Sequence, residues 1–439
     1  MDFYNREKEL EVLGLLYKEA QDSSKMVVIT GKRRVGKTLL SYKFIKDKPH
    51  LYLFVSKKSE PLLCQEYVKQ IRDIFGVPVV GEIKEFKDIF LLLLEIGKAK
   101  PFVLVIDEFQ EFIHINSSVF SDIQNLWDQN KAKSTVLLMF MGSVYSIMHK
   151  IFQDSTEPLF GRADRTLCLK PFSSNVISKI LKDNKKNDLE TLFNYYMLTG
   201  GSPKYIDILT TNSKFTFEEI IDFMISEFSP FLNEGKNLLI EELGKEYTVY
   251  FSVLELISRG KTSRSEIESV LQKDIGGYLD RMETSYALIK KVKPINAKPG
   301  AKLLKYQICD HFLKFWFRFI YRNRTAVETG NYEYIKASVY RNIVSYSGKL
   351  LEEFFHGLFA LSNNYNIIGQ YWEKGHKNEI DLVAINEREK IIVLAEIKRN
   401  KLKINQQQLM MKAHRLLSEY PDFQPQFLSL SLEDAKDYL

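Results

Sequence analysis

Residues 30–38 read Thr-Gly-Lys-Arg-Arg-Val-Gly-Lys-Thr and directly follow the apolar run 26–29. Their spacing is G-x-x-x-x-G-K-[ST], filled by Gly31, Gly36, Lys37 and Thr38. Glycines at these positions let backbone N–H groups surround phosphate oxygens, the lysine neutralises the terminal phosphates, and the threonine hydroxyl is offered to Mg²⁺. The stretch therefore predicts a strand, a phosphate-binding loop and a helix, and it predicts that the chain binds a nucleoside triphosphate with Mg²⁺.

Apolar runs of the same kind recur along the first part of the chain. They cover residues 26–29, 51–55, 102–106, 136–141 and 166–169, and longer amphipathic stretches separate them. This alternation is typical of a parallel sheet covered by helices.

The third run ends in Asp107-Glu108. At a strand tip beside a phosphate loop, Asp107 can hold the Mg²⁺ through water, and Glu108 can polarise the attacking water. The simpler interpretation, an acidic turn after a buried strand, would leave two adjacent carboxylates without a cation. We therefore expect hydrolysis of ATP, with Glu108 catalytic and with Thr38 and Asp107 at the metal.

Two further polar residues follow the fourth run. Ser143, directly after Gly142, could touch the γ-phosphate or the water, although one serine is a weak signal. Arg162 precedes the fifth run, where it could reach a neighbouring subunit's γ-phosphate as an arginine finger. A surface arginine paired with Asp164 is an equally good interpretation. An arginine finger acts on the nucleotide of a neighbouring subunit, so this interpretation makes a homo-oligomer possible.

The length and composition of the chain limit the number of domains and the class of protein. The chain has 439 residues, 45% hydrophobic and 27% charged, which is room for about three domains of ordinary size. The N-terminus shows no signal pattern, and no uncharged apolar run approaches the roughly 18 residues of a membrane span, so we expect a soluble, cytoplasmic protein without membrane contact. Three scattered cysteines predict neither a disulfide framework nor a zinc cage. The net charge is +6, yet residues 259–324 hold 15 basic and 6 acidic residues, so the positive charge is local.

Several short segments carry a resemblance to a known family. They are the opening Phe-Tyr-Asn-Arg-Glu-Lys-Glu-Leu at 3–10, the phosphate loop, Ile-Asp-Glu at 106–108, Gly-Ser at 142–143, Gly-Arg at 161–162 and Gly-Gly-Ser-Pro-Lys-Tyr at 200–205. Over residues 1 to about 235 the chain resembles the archaeal and bacterial AAA-related ATPases of the signal-transduction-like class. The resemblance implies that Arg6 lies by the adenine, and that Gly201 and Pro203 begin a helix of a nucleotide-sensing lid. The residues expected to contact the nucleotide are then Arg6, Gly31, Lys32, Arg33, Arg34, Val35, Gly36, Lys37, Thr38, Asp107, Ser143 and Arg162.

The middle of the chain has the pattern of a winged helix. Helical spacing covers 247–258, 263–271 and about 274–284, and the basic stretch 290–306 with its prolines and glycine is typical of a β wing. The lysines that would line the wing are Lys290, Lys291, Lys293, Lys298, Lys302 and Lys305. We favour contact with nucleic-acid phosphates over a solvated charge run or an interdomain surface. The aromatic stretch 306–317 is interpreted as a packed hinge.

The last part of the chain predicts a helix at about 332–360, three strands, a helix at 405–418 and a final strand at 426–430. This order is the core of restriction-endonuclease-like folds. In a strand, Glu396 and Lys398 point to the same face, where Asp381 on the adjacent strand can meet them. Two carboxylates and a lysine make a Mg²⁺ site with a charge stabiliser for phosphodiester hydrolysis.

Other residues could complete this site. Glu352 could add a third carboxylate, and Gln407 or Gln408 could support it. The constellation resembles the PD-(D/E)xK nuclease superfamily, with Ile380 where the superfamily's name has proline. Its position behind the ATPase matches the C-terminal domain of unknown function of the same ATPases. The resemblance implies that Asp381, Glu396 and Lys398 are catalytic, and that Asp381, Glu396 and Glu352 hold metal; the alternative is Glu-x-Lys on the solvent face of an edge strand.

The fold prediction is α/β: a P-loop NTPase parallel sheet at 1–172, a helical lid at 173–240, a winged helix at 241–325 and a restriction-endonuclease-like α/β domain at 326–439. The function prediction is an ATPase acting on DNA, with a Mg²⁺-dependent nuclease-like domain gated by ATP. The alternative is an ATP-dependent switch that binds DNA or a protein partner without cleavage. A helicase is disfavoured because only one P-loop core is found, and RNA as substrate stays open.

Overall fold

The computed structural model describes residues 3–143, 145–243, 247–298, 300, 303–375 and 377–439. The chain separates into two compact units, Asn5–Lys170 and Pro171–Leu439, the latter joined by the first residues of the chain. In the described ranges, no helix combines the length and apolar character needed to cross a membrane.

A five-stranded sheet with the order β2-β3-β4-β1-β5 forms the centre of the first unit. Its strands are β1 (Lys25–Thr30), β2 (His50–Phe54), β3 (Phe102–Asp107), β4 (Val136–Met141) and β5 (Arg165–Cys168). All neighbouring strands are parallel, which confirms the predicted sheet. Every residue of β3 and β4 is buried, as expected for central strands covered on both faces.

Helices cover this sheet. They are α1 (Glu7–Glu19), α2 (Lys37–Ile45), α3 (Glu60–Phe75), α4 (Phe86–Ala99), α5 (Phe112–Ile115), α6 (Val119–Asn130) and α7 (Tyr145–Gln153). In α4 the buried residues Phe86, Ile89, Phe90 and Leu93 follow the helical spacing that gives one apolar face. Because the strands are parallel, the phosphate loop after β1, the carboxylates after β3 and the serine after β4 emerge at the same edge of the sheet.

The second unit begins with a run of helices and a hairpin. The helices are α8 (Ser174–Asp183), α9 (Leu189–Thr199), α10 (Pro203–Thr211), α11 (Phe217–Met224), α12 (Phe231–Leu243), α13 (Tyr247–Ser258), α14 (Arg264–Leu271) and α15 (Gly276–Asp280). A π-helical turn over Arg281–Ser285 extends α15, and the antiparallel strands β6 (Ile289–Val292) and β7 (Lys305–Ile308) form the predicted wing. Of the expected wing residues, Pro299 and Lys302 lie outside the described part of the chain.

The hairpin packs on the C-terminal part of the same unit. That part contains α16 (His311–Phe315), α17 (Arg324–Glu328), α18 (Tyr332–Leu361), β8 (Ile367–Glu373), β9 (Lys377–Asn386), β10 (Ile391–Ile397), α19 (Gln406–Ser418) and β11 (Gln424–Leu430). The backbone N–H of Ile295 donates to the carbonyl of Gln370 at 2.8 Å, and the Asn296 amide donates to Glu419 at 2.9 Å. The loop of the wing is therefore tied to β8 and α19.

A mixed sheet of order β11-β10-β9-β8 organises the C-terminal part. The β10–β11 pair is parallel and the other two pairs are antiparallel. Side chains alternate along β10: Val393 and Ala395 belong to the large cluster that also contains α18, whereas Ile392 and Leu394 pack with α19. Because the large cluster also includes the lid and wing helices, the three segments predicted as separate domains share one apolar core.

Candidate functional site

The backbone of the phosphate loop requires glycine at two positions. Gly31 has a φ of 143° and Gly36 a φ of 90°, both in the region that side chains disfavour. A Cβ atom on Gly31 would lie 2.7 Å from the carbonyl oxygen of Leu169. Gly36 caps α2, so the first N–H groups of that helix point into the loop. The loop therefore has the backbone geometry of an anion site at a helix N-terminus.

Lys37 is buried in this loop, and its ammonium group donates to the carbonyls of Gly31 at 2.7 Å and Lys32 at 3.1 Å. Thr38 is exposed beside it at the start of α2. A lysine held over the loop and a neighbouring hydroxyl fit the terminal phosphates and Mg²⁺ of ATP, whose cation would neutralise charge developing on the transferred phosphate. The residues that would hold the nucleotide are those from Gly31 to Thr38.

The carboxylates after β3 are fixed by hydrogen bonds. The Tyr52 hydroxyl donates to Asp107 Oδ2 at 2.5 Å, and the Glu108 N–H donates to Oδ1 at 2.9 Å. The Ser143 hydroxyl donates to Glu108 Oε2 at 2.8 Å, and the side-chain amide of Gln110 donates to the same oxygen. Ser143 is thus placed to orient Glu108.

Burial raises the pKa of Asp107, and the hydrogen bond from Tyr52 opposes that rise. Burial, followed by the Asp107 charge, raises the pKa of Tyr52, so this phenol stays protonated and remains a donor. Neither Tyr52 nor Gln110 was found from the sequence. A tyrosine in an apolar run gives no signal that its hydroxyl reaches a carboxylate 55 residues away.

We expect Tyr52→Phe to raise the Mg²⁺ concentration for half-maximal ATP hydrolysis about tenfold. A hydrogen bond to a charged group contributes about 1.5–3 kcal/mol, and its loss lets Asp107 rotate and raises its pKa further. The phenylalanine ring keeps the stacking on Tyr42, where the ring centroids lie 5.0 Å apart, so the loss of stability should be limited to that of the hydrogen bond, about 1–3 kcal/mol. Steady-state hydrolysis across a Mg²⁺ series measures the effect.

Tyr67→Phe is the matched control, because it removes a hydroxyl that donates to the carbonyl of Phe54 instead of Asp107. An unchanged Mg²⁺ dependence in Tyr52→Phe would show that the Asp107 contact has no role in the reaction.

Arg6 and Arg162 lie in different settings. Arg6 is buried, and its guanidinium donates to the carbonyls of Val35 at 3.1 Å and Lys170 at 2.6 Å, so it holds the phosphate loop against the end of β5. Arg162 pairs with Asp128 at 3.3 Å. The expected alternative partner was wrong, because Asp164 accepts from the backbone N–H of Met26 at 2.7 Å instead.

The C-terminal residues predicted from strand periodicity lie together. Lys398 Nζ is 2.9 Å from Asp381 Oδ2 and 3.0 Å from Glu396 Oε1. The N–H of Ile397 also donates to Asp381 Oδ2 at 2.8 Å. Lys412, which the sequence reasoning missed, approaches Glu396 Oε2 at 3.0 Å from α19. Two carboxylates, one in the middle of β9 and one near the end of β10, are therefore balanced by two lysines.

Glu352 lies near this group on α18 and accepts a hydrogen bond from Gln370 at 3.1 Å. Burial, and then the Asp381 charge, raise the pKa of Glu352 well above its usual value. Burial also raises the pKa of Asp381, against the opposing effect of Lys398. For Lys398, burial alone would lower the pKa, but the two carboxylates outweigh it and raise the pKa, which keeps the lysine charged.

The donor set suits a hard cation, because carboxylate oxygens are the ligands that Mg²⁺ prefers. Within the described ranges, no group of three or more His, Cys, Asp or Glu side chains is arranged to coordinate one metal ion. Gln407 and Gln408 are exposed at the start of α19, and Lys412 is the residue of that helix that reaches Glu396. Trp372 is buried, as expected for a residue that packs the sheet.

The sheet order, the phosphate loop and the carboxylates after β3 define a P-loop ATPase. Residues 3–209 match the family described as an ATPase domain predominantly from Archaea, and residues 316–410 match a family of archaeal and bacterial proteins of unknown function. The two matches lie in different parts of the chain, the first over the parallel sheet and the following helices and the second over the C-terminal part.

Three individual proteins are similar to this chain. An uncharacterized protein of Methanocaldococcus jannaschii is 28% identical over 411 residues, covering 91% of this chain and 88% of the relative. The structure of a Walker-type ATPase of Pyrococcus abyssi matches with a TM-score of 0.54 and 17% identity, over 72% of this chain and 96% of that one. The ORC2 protein of Aeropyrum pernix matches with a TM-score of 0.48 and 13% identity, over 75% and 96%. At such identities the likeness to solved structures concerns the fold alone.

Proposed function

We propose that this ATPase acts on DNA through a Mg²⁺-dependent nuclease site at Asp381, Glu396 and Lys398, and that the nucleotide state controls that site. The observation that carries the proposal is that Lys398, directly after β10, contacts both Asp381 in β9 and Glu396 in β10, at 2.9 and 3.0 Å. Charged side chains on the strands of an otherwise buried sheet need a reason, since an unneeded charge there is costly.

The proposed chemistry divides among these residues. Asp381 and Glu396 would hold Mg²⁺, which would supply a water nucleophile and polarise the scissile phosphate. Lys398, held in its charged form by its two partners, would stabilise negative charge that develops on the phosphate. Glu352, whose pKa is raised by burial and by the Asp381 charge, would add a third carboxylate to this metal site.

Cleavage of single-stranded, duplex and branched DNA in Mg²⁺ or Mn²⁺ tests this function. We expect Lys398→Ala to lower the cleavage rate by about a hundredfold or more, because an electrostatic stabiliser of a transition state contributes on that scale. Lys403→Ala, an exposed lysine of the same domain, serves as the matched control. Cleavage that persists in Asp381→Ala would remove the catalytic assignment.

A second candidate function is a regulatory switch that binds without cutting. It is favoured by the neutralisation of both carboxylates by Lys398 and Lys412, an arrangement that is stable without a metal. Calorimetric titration with Mg²⁺ separates the two functions. A nuclease site should bind the cation in wild type and lose that binding in Asp381→Asn, whereas a switch should show no binding at this site and no turnover.

A further inference from the structure

A cleft of about 640 Å³ in the second unit is lined by Asp381 and Lys398. Its other walls come from the end of α13, strand β7, the segment that follows α16, and the middle of α18. The hairpin and hinge thus share one opening with the proposed nuclease site. Sequence reasoning treated the hairpin and the carboxylates separately, because residues of β7 and β9 are more than 70 positions apart.

Among the described residues, two cations of this cleft form no close ion pair. Arg318 donates to the carbonyl of Ser258 at 3.0 Å, and its guanidinium lies over the ring of Tyr346. Lys349 is exposed on α18, one turn before Glu352 and on the same wall. In the portion of the chain that the structure describes, neither makes an ion pair with a carboxylate.

The other basic residues of the cleft are neutralised. Lys305 pairs with Glu379 at 2.7 Å and lies over the Trp372 ring, and Lys314 contacts both oxygens of Glu353 at 2.5 and 2.6 Å. Of the predicted wing lysines, Lys291 also pairs with acidic neighbours, including Asp280 at 3.3 Å. Arg318 and Lys349 are therefore the two cations of the cleft that can contact an anionic ligand near Asp381, and the acidic neighbour of Lys349 is Glu352, whose pKa its charge lowers.

We infer that the cleft binds one unpaired nucleic-acid strand, with Arg318 and Lys349 holding phosphates next to the one that reaches Asp381 and Lys398. The inference rests on the proposed function, since it names the substrate class of that same site. A volume of about 640 Å³ lies in the range of small-ligand sites and accommodates a nucleotide or two of one strand. Arginine and lysine contacts to phosphate are independent of base sequence, so binding should be sequence-tolerant.

Fluorescence anisotropy of the full chain with labelled oligonucleotides tests the inference. The probes are single-stranded DNA, single-stranded RNA and duplex DNA of equal length, in Ca²⁺ so that the strand is not consumed. Wild type should bind single strands more tightly than duplex, and the DNA and RNA probes show which strand is preferred. Lys349→Ala and Arg318→Gln should each weaken single-strand binding about five- to tenfold. Each should also reduce the slope of the logarithm of the binding constant against the logarithm of salt concentration by about one.

Lys336→Ala is the control on the same helix, because this lysine pairs with Asp222 and Glu333 and does not line the cleft. Equal affinity for duplex and single strand, or single-strand binding unaffected by both cleft variants, would overturn the inference. These outcomes are separable from failure of the nuclease proposal. Single-strand binding that depends on Lys349, with no cleavage, would support the strand-binding cleft and overturn the nuclease proposal. Duplex cleavage at the same rate in wild type and Lys349→Ala would support the nuclease proposal and overturn the strand-binding cleft.

Discussion

Lys37→Ala should abolish ATP hydrolysis, with a loss of about a thousandfold or more in rate. The ammonium group is buried and already held by the carbonyls of Gly31 and Lys32, so it sits where terminal phosphates would lie. Phosphoryl transfer depends on positioning and on neutralisation of the transferred phosphate, and the alanine removes both contributions. Hydrolysis measured by phosphate release, together with binding of a fluorescent ATP analogue, gives the two effects separately.

Lys46→Ala, an exposed lysine that ends the same helix, should leave hydrolysis unchanged. Hydrolysis at the wild-type rate by Lys37→Ala would contradict the assignment of the phosphate loop. Unfolding of that variant is a separate outcome, which circular dichroism would show.

Lys314→Met should lower the stability of the second unit by about 3–5 kcal/mol, the cost of leaving a buried carboxylate without its partner. Lys314 contacts both oxygens of Glu353, and His311 Nε2 lies 3.2 Å from one of them while its Nδ1 faces the carbonyl of Tyr196. The cluster thus links α9, α16 and α18. At about 2–4 °C per kcal/mol, the thermal midpoint should fall by roughly 10 °C in scanning calorimetry.

The same cluster gives a pH dependence with a defined sign. Burial alone would raise the pKa of Glu353, but Lys314 and His311 outweigh it and hold the pKa well below its usual range. The carboxylate therefore stabilises the fold above its unfolded pKa of about 4.3, and that stability is lost as the pH falls further through the folded value. Lys314→Met should flatten this acid-side decline in the thermal midpoint.

Lys336→Met is the control for stability, since its partners Asp222 and Glu333 are 61% and 83% exposed and such pairs contribute about 1 kcal/mol or less. Equal midpoints for Lys314→Met and Lys336→Met would show that the buried cluster contributes no more than a surface pair.

Local patterns in the sequence predicted the elements and the site residues that lie close together in the chain. The strand runs and the phosphate loop are encoded by consecutive residues, so their positions could be read directly. The two-residue period of β10 placed Glu396 and Lys398 on one face, and the adjacent strand β9 brought Asp381 to them. In each case a short-range rule of backbone geometry was sufficient.

Contacts between distant segments could not be predicted in this way. Tyr52 reaches Asp107 and Lys412 reaches Glu396 through tertiary packing that leaves no local pattern. The contact of the hairpin loop with β8 likewise joins residues more than 70 positions apart, through the N–H of Ile295 and the carbonyl of Gln370. Long side chains such as lysine find their partners only once the fold sets which surfaces meet.

The central claim, a nuclease site controlled by the ATPase, is tested most directly by the rate of DNA cleavage in Mg²⁺ with ATP, with ADP and without nucleotide. Wild type and Lys37→Ala are compared beside Lys398→Ala. We predict that ATP changes the wild-type rate several-fold, that Lys37→Ala cuts at one rate whatever nucleotide is added, and that Lys398→Ala does not cut. Cleavage by wild type at the same rate in all three nucleotide conditions, or no cleavage of any DNA while ATP is hydrolysed normally, would contradict it.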